Sequence, residues 1–548
     1  MNLDVAGLRA QAEKWLADDP DPTTGAELTQ LLEGLPGTAA ELADRFSGPL
    51  TFGTAGLRGT LRAGPNGMNL AVVRGAAAGL VHWLAGRGAQ GPLVIGYDAR
   101  HGSRTFAEET ARVATGAGRR ALILPGPLPT PVLAYAVRAL NAVAGVMVTA
   151  SHNPPQDNGY KVYLGAELGG AIGAGAQLVA PADAEIEAAI RAVGPLVRVA
   201  LGTAGETLNQ DIVDAYVIAA AEVVAKDTPR ELTVAYTPMH GVGGAVVAAA
   251  FERAGFAIPS VVPAQAQPDP DFPTVAFPNP EEPGAMDLVI GLAAEIDADI
   301  AIATDPDADR CAVAVSEARG WRMLRGDEVG ILLADHLVRQ GVTGRFATTI
   351  VSSTLLRALC GRRRLPYGET LTGFKWIVRA GDDLVFGYEE ALGYCVAPDM
   401  VRDKDGVTAS LLVAELAAGL RAEGHTLTDR LDELAREFGC HVTDQVSFRV
   451  EDLTLIADAM ARLRATPITS LLDVSVRIED LLPDADVLIL RGESMRVVVR
   501  PSGTEPKLKA YLELVEPVGD DGDVTAARER AVTAMAALRT EVMEAIGI

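Results

Sequence analysis

The chain has 548 residues, too many for one hydrophobic core, so three or four domains are expected. Its composition, 49% hydrophobic and 22% charged, is that of a folded globular protein and excludes long disorder. A net charge of −24 disfavours nucleic acid and anionic lipid as partners, and any phosphate ligand must find a local cluster of Arg and Lys.

The first twenty residues, MNLDVAGLRAQAEKWLADDP, are acidic and lack the apolar stretch of a signal peptide. Further on, the most apolar segments are broken by charge, by Arg74 and by Glu415, so no membrane span is predicted. β-Branched runs at 92–98, 143–150, 232–238 and 298–305 alternate with Ala-rich stretches of helical period. This alternation predicts α/β layers with largely parallel strands, in which ligands gather at the carboxyl ends. The stretch 261–284 holds seven prolines and reads equally well as a linker or as a rigid ordered loop. From about Val442, the runs SVRIED, DVLILRG and MRVVVRPSG precede an Ala/Glu-rich helix and predict a small α+β domain. Cys311, Cys360, Cys395 and Cys440 have no metal-ligand or redox spacing and read as reduced thiols of a cytoplasmic protein.

Four strings carry chemistry. In Thr149-Ala150-Ser151-His152-Asn153-Pro154-Pro155, continued to Lys161, an apolar strand gives way to a polar loop. A serine there is exposed on a rigid platform, as a nucleophile needs to be. His152 could act as a base, and Lys161 could move a proton or hold a phosphate. In Asp305-Pro306-Asp307-Ala308-Asp309-Arg310, three alternate carboxylates can converge on a hard cation, with Arg310 close enough to pair with a phosphoryl group. A calcium EF-hand is rejected, because Arg310 and Ser316 stand where Gly and Glu are required.

In Gly387-Tyr388-Glu389-Glu390-Ala391-Leu392-Gly393, paired glutamates can accept hydrogen bonds from vicinal sugar hydroxyls. In the segment Arg402-Asp403-Lys404-Asp405-Gly406, Lys404 can reach a substrate proton or phosphate. Finally, Arg500-Pro501-Ser502-Gly503-Thr504-Glu505-Pro506-Lys507 offers an Arg fork, hydroxyls and freed amides as a phosphate cradle that is not a Walker loop. Taken alone, the glutamate and Lys404 strings read as ordinary loops and the Arg500 string reads equally well as a turn, whereas the full serine string and the three alternate aspartates favour chemistry.

Together these strings resemble the α-D-phosphohexomutase family, as do GTAGLRG (53–59), GYDAR (96–100), TPMHGVGG (237–244) and TGFKW (372–376). The resemblance spans roughly residues 50 to 515. It implies three related α/β domains with mixed sheets plus a smaller C-terminal α+β domain around a central cleft. The expected boundaries are 1–207, 208–320, 321–442 and 443–548, which puts the proline-rich stretch inside the second domain. By resemblance, Ser151 carries the phosphoryl group. Asp305, Asp307 and Asp309, with Ser151, hold Mg²⁺, and Arg58, His152, Lys161 and Arg310 surround the transferring group. Gly373, Lys375, Glu389, Glu390 and Arg402 bind substrate, while Arg500, Ser502, Gly503, Thr504 and Lys507 grip the non-reacting phosphate.

The chain departs from the family pattern in two ways. Ala391 stands where many relatives have serine, and the sugar loop ends without a histidine. The segment around Lys404 is similar to the lysine-bearing segment of phosphoglucomutases, which gives Lys404 the second proton-transfer role. The chain is most similar to the branch of bacterial phosphoglucomutases and phosphopentomutase-like enzymes. The implied reaction interconverts hexose 1-phosphate and hexose 6-phosphate, of glucose or mannose, through phosphoserine and a sugar 1,6-bisphosphate. Ribose or deoxyribose phosphates are the alternative substrates, and a metal-dependent sugar phosphatase is a more remote one. Small phosphosugars are the expected partners of a monomer or homodimer.

Overall fold

A computed structural model describes residues 4–53, 56–450, 452–502 and 507–547. The chain divides into two compact units, one made of residues 1–324, 381–387 and 391–422, the other of the remainder. Among the described residues, the four larger sheets have seven, five, four and five strands in chain order. The expected α/β class with mixed sheets and a C-terminal α+β domain is borne out, the last domain being built on an antiparallel sheet.

The first unit opens with three helices, Val5–Leu16, Pro22–Glu33 and Ala39–Arg45. Asp4 and Asp21 cap the first two, and their apolar stripe closes over Ala63. Beyond them lies the seven-stranded sheet. Its centre is parallel: Leu93–Tyr97 lies between Ala121–Ile123 and Ala144–Val148. The long strand Asp157–Leu164 then pairs antiparallel with Ala144–Val148 and with Leu57–Thr60, so the sheet is mixed. Both faces are covered, which is why these strands read as unbroken apolar runs rather than as alternation.

The second sheet has the order Gly320–Met323, Ala312–Glu317, Ile300–Ala303, Val234–Thr237, Ser260–Val261. Its last three strands are parallel and the others antiparallel. The proline-rich stretch is an ordered loop of this unit. It contains a short 3-10 turn, Pro263–Gln265, and buries Phe272, and it leads into the helix Asp287–Glu295. Each of the four strand-like runs contains a strand, and the two that precede Ser151 and Asp305 end just before them.

The second unit contains the parallel pair Arg345–Thr349 and Tyr367–Thr370. It also contains an antiparallel sheet ordered Cys440–Arg449, Lys507–Glu516, Met495–Pro501, Leu488–Arg491, Arg477–Asp480. The helices Thr454–Ala465 and Val524–Ile546 bury their apolar faces against that sheet. All four cysteines are buried thiols. Among the described residues, no helix is long and apolar enough to cross a membrane.

Candidate active site

Ser151 follows the central strand Ala144–Val148 at its carboxyl end and is held at φ 52°, a left-handed conformation that a serine adopts only under constraint. The constraint is visible in its neighbours. The Ser151 amide donates to Thr149 Oγ1 at 2.9 Å, and Thr149 Oγ1 donates to Asp98 Oδ2 at 2.6 Å. Arg100, only 4% exposed, threads the loop beyond. It donates to the carbonyls of Ser151 (2.6 Å), Asn153 (2.5 Å), Pro154 (2.9 Å) and Asp157 (3.2 Å). One rigid guanidinium thus satisfies four carbonyls that a surface loop would leave to water.

The acidic triad is built in the same way. It follows the strand Ile300–Ala303, and Ala308 at φ 52° turns the chain so that the three carboxylates converge. Gly241, in the TPMHGVGG string, is required here because a Cβ would come within 2.3 Å of Pro306 Cα. Gly406 is required from the other side, where a Cβ would lie 2.3 Å from the Arg310 carbonyl. This close approach brings the segment before Gly406, and Lys404 with it, onto the triad.

Serine, triad and lysines therefore form one cluster in the first unit. Ser151 Oγ donates to Asp305 Oδ2 at 2.7 Å and stands 3.1 Å from His152 Nδ1. Lys161 Nζ donates to Asp307 Oδ2 at 2.8 Å and to Asp309 Oδ2 at 3.3 Å. Lys404 Nζ lies 3.2 Å from Asp309 Oδ2 and 3.7 Å from Asp403 Oδ1. Arg310 pairs with Glu281 at 3.5 Å and lies 3.9 Å from Asp305. Arg58 donates to Asn153 Oδ1 at 3.0 Å.

The electrostatics follow from burial and neighbours. Burial, with Asp307 and Asp309 alongside, pushes the Asp305 carboxyl well above the usual carboxylate range. Burial would also raise Asp307, but the Lys161 ammonium outweighs it and holds Asp307 well below that range. Burial, reinforced by Arg310 and Arg58, pushes the His152 imidazole well down, so it is neutral at pH 7.

Metal binding fits this geometry. Asp305, Asp307 and Asp309 each offer an oxygen, all within 4.8 Å of one another. The Oδ1 atoms of Asp307 and Asp309 are buried without a hydrogen-bond partner. Three clustered carboxylates with orphaned oxygens are what a hard divalent cation uses.

The other expected residues are placed as follows. Arg402, in the first unit, is buried and donates to the Ile172 carbonyl at 3.0 Å. In the second unit Gly373, at φ 109°, precedes the short helix Phe374–Ile377, on which Lys375 is buried with its Nζ over the Trp376 ring. Glu389 ends a strand and Glu390 follows, accepting from Ser352 Oγ at 3.2 Å and from Thr349 Oγ1 at 3.3 Å. Arg500 lies near the end of the strand Met495–Pro501, Ser502 follows it, and Lys507 opens the strand Lys507–Glu516, with the Ser502 amide donating to the Lys507 carbonyl at 2.8 Å. Gly503 and Thr504 lie outside the described residues.

Several residues around the cluster were given no role from the sequence. Thr130 donates to Asp307 Oδ2 at 2.7 Å. Asp403 accepts from Tyr163 OH (2.7 Å) and Gln177 Nε2 (2.9 Å), and so braces the backbone beside Lys404. Asp98 and Arg100 stood in the GYDAR string at a strand's carboxyl end, which was a usable signal. Thr130, in a run of prolines and leucines, offered none.

Comparison with known proteins agrees with this geometry. Phosphoglucomutase/phosphomannomutase family profiles match four consecutive stretches: α/β/α domain I at 49–193, domain II at 214–320, domain III at 325–438 and the C-terminal domain at 446–518. A Haemophilus influenzae protein, provisionally named a phosphomannomutase, is 46% identical, covering 82% of this chain and 93% of its own. The phosphopentomutase of Mus musculus is 33% identical over 94% of this chain and 91% of its own. A Thermus thermophilus crystal structure, provisionally named a phosphomannomutase, superposes with a TM-score of 0.71 at 25% identity, covering 90% of this chain and 99% of that one. The three N-terminal helices precede the first matched stretch. With all four domain profiles matched in order, the chain belongs to the phosphoglucomutase/phosphomannomutase family, the α-D-phosphohexomutases, and is a mutase that transfers phosphate within its substrate.

Proposed function

We propose that the protein interconverts hexose 1-phosphate and hexose 6-phosphate, of glucose or mannose, through phospho-Ser151 and a sugar 1,6-bisphosphate. The observation that carries this reading is the 2.7 Å contact of Ser151 Oγ with Asp305, inside a triad that two lysines also reach. A hydroxyl so placed can lose and regain a phosphoryl group beside a charge-neutralising centre.

One active serine requires two transfers. The phosphorus–oxygen bond at phospho-Ser151 breaks as the free sugar hydroxyl attacks; the hydroxyl's proton passes to the neutral amine of Lys404, and Lys161 donates a proton to the departing Ser151 Oγ. The bisphosphate then turns end for end. Its other phosphate returns to Ser151 Oγ, whose proton goes back to Lys161, and Lys404 returns its proton to the departing sugar oxygen. Lys161, Arg58 and Arg310 offer positive charge to the phosphoryl oxygens. Asp305, Asp307, Asp309 and an oxygen of the seryl phosphate would hold Mg²⁺, which supplies further neutralisation of that charge. Glu389 and Glu390 accept hydrogen bonds from sugar hydroxyls, with Gly373, Lys375 and Arg402 completing the substrate contacts. Arg500, Ser502, Gly503, Thr504 and Lys507 grip the resting phosphate and need not read the sugar, since both ends of the bisphosphate must fit.

A second reading has support of its own. Relatives named phosphopentomutase reach 33% identity over 94% of this chain, so ribose or deoxyribose 1- and 5-phosphates are the competing substrates. The deciding experiment is an isomerisation assay with Mg²⁺ and glucose 1,6-bisphosphate across glucose, mannose, glucosamine and pentose 1-phosphates. The highest kcat/KM is expected for a hexose. A pentose preference would replace the substrate while leaving the chemistry. Release of inorganic phosphate at a rate matching isomerisation would replace the mutase with a phosphatase.

A further inference from the structure

In the second unit, Arg496 on the strand Met495–Pro501 stands directly opposite Glu513 on the strand Lys507–Glu516. Both are nearly sealed from solvent, at 4% and 2% exposure, and Arg496 Nη2 lies 3.0 Å from Glu513 Oε2. A pair buried this deeply adds little net stability over two apolar residues of the same size. Its hydrogen bonds suggest another role, because they leave the sheet and converge on the segment 350–354. Arg496 donates to the carbonyls of Ile350, at 3.0 Å, and of Ser352. Glu513 Oε1 accepts from Ser353 Oγ and from the Thr354 amide, both at 2.7 Å. An apolar layer of Ile350 and Val351 on Val487, Ile489, Val498 and Tyr511 seals the same junction.

The clamped segment leads onward to the sugar loop. Ser352 Oγ, one residue from the Glu513 contacts, donates to Glu390 Oε2 at 3.2 Å, and Thr349 Oγ1 donates to the same oxygen at 3.3 Å. Strand alternation puts Arg500 on the same face as Arg496 and Val498, the face that the segment covers. Two loops that contact substrate thus meet through six residues whose backbone is held by one buried ion pair.

We propose that Arg496 and Glu513 are positioning residues that fix the sugar-loop carboxylate of Glu390 relative to the phosphate-gripping Arg500, through the segment 349–354. This rests on reading Glu390 and Arg500 as substrate contacts. The sugar is then held at both ends by groups whose separation the pair sets, and small errors in that separation weaken both contacts at once.

The test is kinetic and uses the full chain. Glu513→Gln and Arg496→Lys should each raise KM for the 1-phosphate and the 6-phosphate about tenfold while changing kcat less than about threefold. Ser352→Ala leaves the ion pair in place and cuts the side-chain contacts of Ser352 with Glu390 and with Thr349 Oγ1. It should reproduce the KM effect even if the first two variants fold poorly. Combined with Glu390→Gln, Ser352→Ala should add almost nothing, because both act on one contact. The proposal is overturned if the KM increases of Ser352→Ala and Glu390→Gln multiply, or if Glu513→Gln lowers the melting temperature and leaves KM unchanged. Failure of the mutase reading is distinguishable, since it appears in the wild type as absent isomerisation of any hexose or pentose phosphate. In that case amide exchange decides. The amides of 349–354 and 388–392 should exchange faster in Glu513→Gln, and equal rates would refute the coupling.

Discussion

Ser151 and the residues that brace it set the terms at the scale of single side chains. Ser151→Ala removes the only group in the account that can carry a phosphoryl between half-reactions, so isomerisation should fall to background in the coupled assay. Arg100→Lys tests the brace. A lysine cannot reach four carbonyls, and Asp98 would keep a poorly matched partner in a buried site. The expected result is a loss of about 100-fold in kcat with KM within about threefold, because the nucleophile is misplaced while the substrate contacts stay intact. A normal kcat in a folded Arg100→Lys enzyme would remove Arg100 from the account. The sequence made Ser151 and the aspartates legible because their chemistry is unusual for a turn. It assigned no role to Asp403, or to Arg100 beyond its place in the GYDAR string, because holding another chain segment leaves no local pattern of its own. The partners lie 51–57 residues away for Arg100 and 226–240 residues away for Asp403.

At the scale of elements, the rule that ligands gather at strand carboxyl ends drew attention to Ser151 and Asp305, and the strands Ala144–Val148 and Ile300–Ala303 end just before them. The apolar runs before Ser151 and Asp305 could only be buried strands, and the polar residues after them had to emerge at one edge. Composition could not decide the proline-rich stretch, since proline serves linkers and rigid loops alike. Packing decides it, through Phe272 under the Arg100 guanidinium, 4.9 Å from ring centroid to Cζ, and through Glu281 beside Arg310. The cross-strand pair Arg496–Glu513 was likewise beyond sequence reading, because register is not visible in either strand alone.

That pair makes a pH prediction. Burial would raise the Glu513 carboxyl, but the hydrogen bond with His441 and the charge of Arg496 hold it down at about 2. A depressed carboxylate contributes stability that is complete above its unfolded value, near 4.5, and is lost as pH falls toward 2. The contribution is on the order of 3 kcal/mol. Denaturant unfolding should therefore find wild type more stable than Glu513→Gln at pH 6, with the gap closing below pH 4. A gap that stays constant with pH would contradict the assignment.

On the scale of the whole molecule, a chain of net charge −24 concentrates several of its cations locally. Lys161, Lys404, Arg58 and Arg310 lie around the triad, and Arg500 lies near the end of the strand Met495–Pro501. Arg500→Ala should cost on the order of 2–4 kcal/mol in kcat/KM through a raised KM for both phosphates, with more bisphosphate escaping and phospho-Ser151 intact. A lower melting temperature with unchanged KM would instead make Arg500 a strand-end ion pair. Asp307→Asn should raise the magnesium needed for half activity by about tenfold or more, since a coordinating carboxylate loses its charge. An unchanged magnesium titration would dismiss the triad as the metal site. The most direct test of the central claim is to incubate the protein with glucose 1,6-bisphosphate carrying radiolabelled phosphate, digest it and locate the label by mass spectrometry. The account predicts label on the peptide containing Ser151, removed by a chase of unlabelled hexose 1-phosphate and absent in Ser151→Ala; isomerisation at the wild-type rate by Ser151→Ala, or label resident on another residue, would contradict it.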